Sequence, residues 1–166
     1  MKLIKVIAIP KIILSNFLKL NPTSAVILVT SDFDLIPKFK SLLESKKVPH
    51  KIFTFAEGDG VLENPNFINA IKEKENQLRS IGIPIRLLPI TEEEADEIIS
   101  FILSIKNQVS SLIVCCDDGM FRSQAIAKFV SERILNQPYN PQTFDKLTFY
   151  ILDSKWKRCQ SNADDS

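Results

Sequence analysis

Five short apolar runs, each followed by a segment with helical spacing, constrain the fold of this chain more than any other feature. The runs have the length of buried strands and are rich in aliphatic and β-branched residues. Such runs favour strands that are covered on both faces, as in a parallel sheet. The predicted strands are Lys2–Ile9, Ser24–Thr30, Lys51–Phe55, Ile85–Ile90 and Ser111–Cys115.

Helical spacing is clearest in Thr91–Asn107. Thr91 and Glu94 have the spacing of a capping box, and the acidic residues of the first turn complement the helix dipole. Alternating strands and helices predict an α/β fold in three layers, with a central, mostly parallel sheet and helices on both faces. Gly58–Pro65 is the most loop-like interior segment. The other predicted helices are Asp34–Lys46, Phe67–Leu78, Ser123–Leu135 and Phe144–Lys157.

The composition fits one globular domain. The chain has 166 residues, of which 45% are hydrophobic and 25% charged, and its formal net charge is +1. We therefore expect a single domain over residues 1–159 and a polar, frayed tail over residues 160–166. Such a small net charge does not indicate nucleic acid or a membrane as a partner.

The apolar N-terminal segment Met1–Leu20 raises the question of a membrane span. Lysines and Pro10 divide it into pieces far shorter than the ~20 apolar residues that a span requires. No small-residue cleavage site follows, so a strand and a helix are expected, in a cytoplasmic protein. The three cysteines, Cys115, Cys116 and Cys159, form no disulfide framework and are interpreted as reduced thiols.

The stretch LIVCCDDGMFRSQA, residues 112–125, contains the residues best suited to chemistry. It joins a predicted strand to a predicted helix, and therefore predicts a tight loop at a helix N-terminus. Such a loop gathers backbone N–H groups around one point, where the helix end adds partial positive charge and favours an anion. Ligands of open α/β sheets also bind at the carboxyl ends of strands. Gly119 supplies the backbone freedom that a tight loop needs.

Three side chains at this predicted anion site are suited to a reaction with phosphate. The Cys116 thiol, at a strand end and facing a helix N-terminus, is expected to be ionised near neutral pH. Arg122 offers a planar two-pronged donor to phosphate oxygens, which a lysine cannot imitate. Ser123 can donate a hydrogen bond to the sulfur and ease its departure.

Cys116, five intervening residues, Arg122 and Ser123 together resemble the signature of the cysteine-dependent protein tyrosine and dual-specificity phosphatases. Residues Thr91–Leu135, taken as helix, strand, loop and helix, resemble the compact microbial members. The resemblance implies a phosphomonoester hydrolase in which Cys116 is the nucleophile, Arg122 binds phosphate and Ser123 helps the thiolate leave. It implies no metal and no cofactor. The implied phosphate-binding residues are Asp117, Asp118, Gly119, Met120, Phe121, Arg122 and Ser123.

The chain departs from the family pattern beside the nucleophile and inside the loop. Cys115 stands where the family usually has histidine, which would weaken the stabilisation of the thiolate. Asp117 and Asp118 lie in the loop itself, where a carboxylate facing a dianionic phosphate would oppose binding. We therefore expect the loop amides to point inward and both carboxylates outward.

The general acid of the family is an aspartate on a separate upstream loop. Asp59 is the nearest plausible donor in this chain, with Asp32 and Asp34 as alternatives. The choice depends on reach to the leaving group, which the sequence does not supply.

Two other functions remain open from the sequence. The missing histidine, the paired aspartates and the uncertain acid fit a phosphate-binding module without efficient turnover. A related thiol enzyme, such as a sulfurtransferase or an arsenate reductase, also uses a cysteine loop at a strand end. Cys115 is either a small buried hydrophobe or a resolving thiol, and Cys159 is the more reasonable redox partner. The substrate, a phosphorylated protein or a small phosphate ester, and the oligomeric state stay open.

Overall fold

The computed structural model describes residues 1–164, and its centre is a four-stranded sheet in the order β1-β4-β2-β3. All neighbouring strands pair in parallel. The chain returns from the edge strand β3 to place β4 between β1 and β2, so the end of β4 is flanked by the ends of two other strands. The strands are β1 Lys5–Pro10, β2 Ser24–Val29, β3 His50–Phe53 and β4 Ser111–Cys116.

Helices cover both faces of the sheet, which confirms the predicted three-layer α/β fold. The first two helices pack on one face, and α5, α6 and α7 pack on the other. The helices are α1 Leu14–Leu20, α2 Ile36–Ser45, α3 Asp59–Glu63, α4 Phe67–Ser80, α5 Glu92–Ile105, α6 Arg122–Phe129 and α7 Lys146–Asp164.

The start of α5 confirms the capping box. The N–H of Glu94 donates to Thr91 Oγ1 at 3.1 Å, and the N–H of Thr91 donates to Glu94 Oε1 at 3.0 Å. Ile98 and Ile102, one turn apart, are fully buried against the sheet. Both β2 and β4 are buried along their whole length, because the two helical layers cover their two faces.

The prediction of a strand over Ile85–Ile90, the fourth of the five, is wrong. This segment makes only an isolated bridge between Ala56 and Pro89. The N–H groups of Leu87 and Leu88 donate to Oε2 of buried Glu75, at 2.6 and 2.9 Å. A side chain therefore takes the donors that a strand would have offered to a neighbour, and Pro89 has no N–H to add.

Besides shifts of a few residues at the ends of other elements, three segments differ in kind from their prediction. The loop expected over Gly58–Pro65 contains the short helix α3. The helix expected over Ser123–Leu135 is α6 followed by a π-helical turn, Val130–Ile134. The tail expected to be frayed continues α7 as far as Asp164, and residues 165–166 of that tail lie outside the described residues. Within residues 1–164, no helix combines the length and the apolarity needed to cross a membrane.

Candidate functional site

The loop between β4 and α6 lies directly on the end of β1. Gly119 has a φ of +73°, in the left-handed region that favours glycine. A Cβ atom there would come within 2.5 Å of Pro10 N and 2.7 Å of Ile9 C. Gly119 is thus required both for the turn and for the close approach to a neighbouring strand.

Three carbonyl groups of this loop are bonded to donors outside it. Gln124 Nε2 donates to Gly119 O at 3.0 Å, and Thr143 Oγ1 donates to Met120 O at 3.1 Å. The N–H groups of Ala125 and Asp145 both donate to Phe121 O at 3.0 Å. Because C=O and the next N–H point in opposite directions across a planar peptide, these bonds turn the N–H groups of residues 120–122 away from those outside donors.

Cys116 lies at the base of the loop and is fully buried. Its Sγ is hydrogen bonded to Ser123 Oγ at 3.1 Å and lies 3.5 Å from Asp118 Oδ1. The same Asp118 oxygen accepts from the N–H of Met120 at 2.9 Å. A carboxylate oxygen of the protein therefore contacts both the sulfur and a loop amide, at the place predicted from the sequence for an anion.

Arg122 is the first residue of α6, and its side chain is only 6% exposed. Its guanidinium donates to Phe55 O through Nη1 and to Asp117 Oδ2 through Nη2, both at 3.1 Å. Within residues 1–164, Arg122 Nε is the one buried side-chain nitrogen or oxygen without a hydrogen-bond partner. An unpaired buried N–H is costly, because it has lost its hydrogen bonds to water without gaining another.

The expectation that both loop carboxylates point outward is wrong for Asp118, whose Oδ1 lies inside the loop beside Cys116 Sγ. The carboxylate of Asp117 instead turns away from the loop, toward the ends of β1 and β2. Lys11 Nζ and Thr30 Oγ1 each donate to its Oδ1 at 2.7 Å, and Ser31 donates to Oδ2 through its hydroxyl and its N–H. Burial would raise the pKa of Asp117, but hydrogen bonds from Lys11, Ser31 and Thr30 hold it far below its ordinary value. Asp117 is thus an ionised anchor between the ends of β1 and β2.

The aspartates predicted as general acids lie in different surroundings. Asp59 Oδ1 accepts from the N–H of Lys146 at 2.7 Å, which turns this carboxylate toward the start of α7. Asp32 is 3.7 Å from Lys11 Nζ, and Asp34 is exposed in the short helix Phe33–Leu35. None of these contacts tests the predicted acid, which stays a prediction.

Glu57 is a site candidate that sequence reasoning missed. Its pKa is raised, with partial burial of the carboxyl as the largest cause; the charge of Arg122 opposes this rise, and the charges of Asp118, Asp59 and Asp117 add to it. The charged groups that act on Glu57 therefore include Asp117, Asp118 and Arg122 of the loop. The available signal was its position, two residues after Phe55 at the end of a predicted strand.

The other two cysteines lie away from this sulfur. Cys115 belongs to the core beneath α1 and α2, whereas Cys116 belongs to the core on the opposite face. Successive residues of a strand point to opposite faces, which separates the two thiols. Burial also raises the pKa of Cys115 well above its ordinary value. Cys115 therefore fits the small buried hydrophobe better than the resolving thiol, and Cys159 is exposed on α7.

Comparison with protein-family models, with curated proteins and with solved structures finds no match to this chain.

Proposed function

We propose that this chain is a phosphomonoester hydrolase that acts through a cysteinyl-phosphate intermediate. The unpaired, buried Nε of Arg122 is the observation that carries the proposal. Arg122 ends the loop that begins at Cys116, whose sulfur is hydrogen bonded to Ser123. The carbonyl groups of Gly119 and Met120 in this loop are bonded to donors outside it. This set provides a nucleophile, a cationic donor and backbone donors for an anion, as phosphoryl transfer requires.

In the proposed reaction, the ionised Cys116 Sγ attacks phosphorus in line as the bond to the leaving oxygen breaks. An acid gives its proton to that oxygen. Water then attacks the phosphocysteine, loses a proton to the same residue acting as a base, and releases inorganic phosphate. Ser123 donates a hydrogen bond to the sulfur as it leaves, and the loop amides with Arg122 bind the three equatorial oxygens.

Glu57 is the acid that its charged surroundings favour, with Asp59 as the alternative. A catalytic acid must be protonated at working pH, and the raised pKa of Glu57 extends that range. The segment carrying Glu57 is held beside the guanidinium, because Phe55 O accepts from Arg122 Nη1 at 3.1 Å. Asp59, in contrast, is hydrogen bonded at the start of α7.

The resemblance of the motif to protein tyrosine and dual-specificity phosphatases supports a phosphorylated protein or a small phosphate ester as substrate. We place the reaction in the cytoplasm, where a reducing milieu would keep Cys116 as a free thiol.

A second candidate is a phosphate-binding module with slow turnover, favoured by the position of Asp118. Its Oδ1 lies 3.5 Å from Cys116 Sγ and accepts from Met120 N. Substrate must displace this carboxylate before it reaches the sulfur. A module that does not turn over would bind anions and leave aryl phosphates intact.

The test is hydrolysis of an aryl phosphate by the wild type, Cys116→Ser and Arg122→Lys, with Cys159→Ser as a thiol control. We expect vanadate-sensitive turnover in the wild type and in Cys159→Ser. Turnover should fall below detection in Cys116→Ser and by about 10²-fold or more in Arg122→Lys, which cannot bind phosphate in two-pronged fashion. Vanadate binding without turnover would favour the binding module, and thiosulfate-dependent thiocyanate formation from cyanide would favour a sulfurtransferase.

A further inference from the structure

Asp145, just before α7, is a fully buried carboxylate that the proposed reaction does not use. Its carbonyl accepts from the N–H of Phe149 at 3.1 Å, which makes it the N-cap of the helix. Its two carboxylate oxygens lie 3.1 and 3.0 Å from the N–H of Gly58, and Oδ2 also accepts from Thr148 Oγ1 at 2.6 Å. The side chain therefore ties α7 to a segment 87 residues away in sequence.

The backbone of Asp145 contacts the other half of the site. Its N–H donates to Phe121 O at 3.0 Å, one of the bonds that turn the loop carbonyls outward. One residue thus contacts the loop of Cys116 through its main chain and the segment of Glu57 through its side chain.

The segment that carries Glu57 is fixed on both sides of this residue. Phe55 O accepts from Arg122, and the N–H of Ala56 donates to Leu88 O at 3.0 Å. On the other side, Gly58 lies so close to α7 that a Cβ atom would meet Leu147 Cδ2 at 2.4 Å. The bond from Gly58 to Asp145 and this close packing hold the segment against the helix.

Asp59 completes the connection. Its Oδ1 accepts from the N–H of Lys146 at 2.7 Å. Its carboxyl group is also near that of Asp145 and helps to raise the pKa of Asp145, after burial as the largest cause. Asp59 therefore has a structural role beside α7.

From these contacts we propose that Asp145 is a positioning residue, which holds the segment of Glu57 at a fixed place beside the loop of Cys116. The inference rests on the proposed function, because it concerns the delivery of the proton in that reaction. It assigns no contact with substrate to Asp145.

Leaving groups of different acidity provide the test. A phenol with an ordinary pKa near 10 needs a proton as it departs, whereas the strongly acidic dinitrophenol does not. Loss of acid positioning should therefore slow phenyl phosphate and leave dinitrophenyl phosphate almost unchanged. A displacement of about 1 Å can cost about 10²-fold in rate.

The variants are Asp145→Asn, which weakens the side-chain bond, and Gly58→Ala, which pushes the segment off Leu147. Gly60→Ala is the matched control, because a Cβ at Gly60 meets nothing within 4 Å. The comparison uses kcat/KM, which reports formation of the phosphocysteine and not its hydrolysis. We expect kcat/KM for phenyl phosphate to fall ~10- to 100-fold in both test variants and kcat/KM for dinitrophenyl phosphate to change less than about threefold. Vanadate inhibition should stay the same, since the main-chain bond to Phe121 remains. Gly60→Ala should behave as wild type.

An equal loss on both substrates, or a parallel loss of vanadate affinity, overturns the positioning role while the phosphatase proposal stands. If Asp145→Asn does not fold, Gly58→Ala decides between these outcomes. A wild type that hydrolyses neither ester, or a Cys116→Ser variant that hydrolyses both, overturns the proposed function and this inference with it.

Discussion

The carboxylate of Asp117 accepts a hydrogen bond from Nη2 of Arg122 across 3.1 Å. The guanidinium is therefore oriented by the protein itself before any anion arrives, with Nη1 on Phe55 O and Nε left unpaired. A preorganised donor loses little conformational entropy on binding, which is what an oxyanion site requires.

Asp117→Asn should lower the free energy of unfolding by about 2 kcal/mol at pH 7, because it weakens charge-assisted hydrogen bonds. The lowered pKa of Asp117 stabilises the folded state above the unfolded-state pKa of about 3.9, and this contribution is lost as pH falls below it. The difference from wild type should therefore shrink at pH 3. Urea denaturation at both pH values measures it, with exposed Asp34→Asn as the charge-matched control. An equal effect from Asp34→Asn would contradict the role of the buried network.

Asp118→Asn should strengthen oxyanion binding. The carboxylate lies at the mouth of the loop, 3.5 Å from Cys116 Sγ, where its negative charge opposes a phosphate dianion. Removing one unit charge at such a distance is worth about 1 kcal/mol in a solvated site, or roughly fivefold in affinity. Titration with vanadate measures the change. Unchanged or weaker binding would show that Asp118 does not compete with the anion.

Gly119→Ala should destabilise the chain more than Gly82→Ala. Both glycines have positive φ, +73° and +85°, so each alanine costs about 1 kcal/mol in backbone strain. A Cβ at Gly82 meets nothing within 4 Å, whereas one at Gly119 meets the backbone of Pro10 at 2.5 Å. Overpacking should add about 1–3 kcal/mol at Gly119 alone. Equal losses in denaturant unfolding would mean that the loop moves freely off β1.

Glu57→Gln should lower kcat/KM by about 10²-fold and remove the falling limb of its pH profile. In the wild type the acid form is lost as pH rises through the raised pKa of Glu57, so kcat/KM falls there. Asp59→Asn should keep that limb. The reverse result, with the limb lost only in Asp59→Asn, would make Asp59 the acid.

Asp145 should make the chain less stable as pH rises. Burial, together with the hydrogen bond and charge of Asp59, raises the pKa of Asp145 from 3.8 to about 6, although bonds from Thr148 and Gly58 oppose this. The folded chain then binds the proton more tightly than the unfolded chain, so the free energy of unfolding falls between about pH 4 and pH 6. Asp145→Asn cannot titrate and should lack this fall. Parallel pH curves for the two proteins in urea denaturation would rule out the contribution.

The parts of the fold that depend on nearby residues were predictable from the sequence. The capping box of Thr91 and Glu94 forms within one helical turn, and the buried run Ser111–Cys116 carries its own pattern. The segment Ile85–Ile90 has the same apolar pattern but no strand, because Glu75 binds its N–H groups from another helix. The apolar pattern of one segment does not show which distant group will accept hydrogen bonds from its backbone N–H groups.

The site divides in the same way. The position of the loop and the need for Gly119 follow from local sequence, whereas the direction of the Asp117 carboxylate depends on distant strands. Asp117 turns away from the loop because Lys11 and Thr30, at the ends of β1 and β2, donate hydrogen bonds to it there. The surroundings of Glu57 depend on how its segment folds beside Arg122, which the spacing in the sequence does not give.

Side chains of β4 point alternately to the two faces of the sheet, and this has a consequence for oxidative damage. Cys115 and Cys116 are adjacent in the chain but lie in the cores on opposite faces of the sheet. A sulfenic acid formed on Cys116 could not be trapped by its sequence neighbour as a disulfide, and peroxide would meet a nucleophile without an adjacent thiol to rescue it.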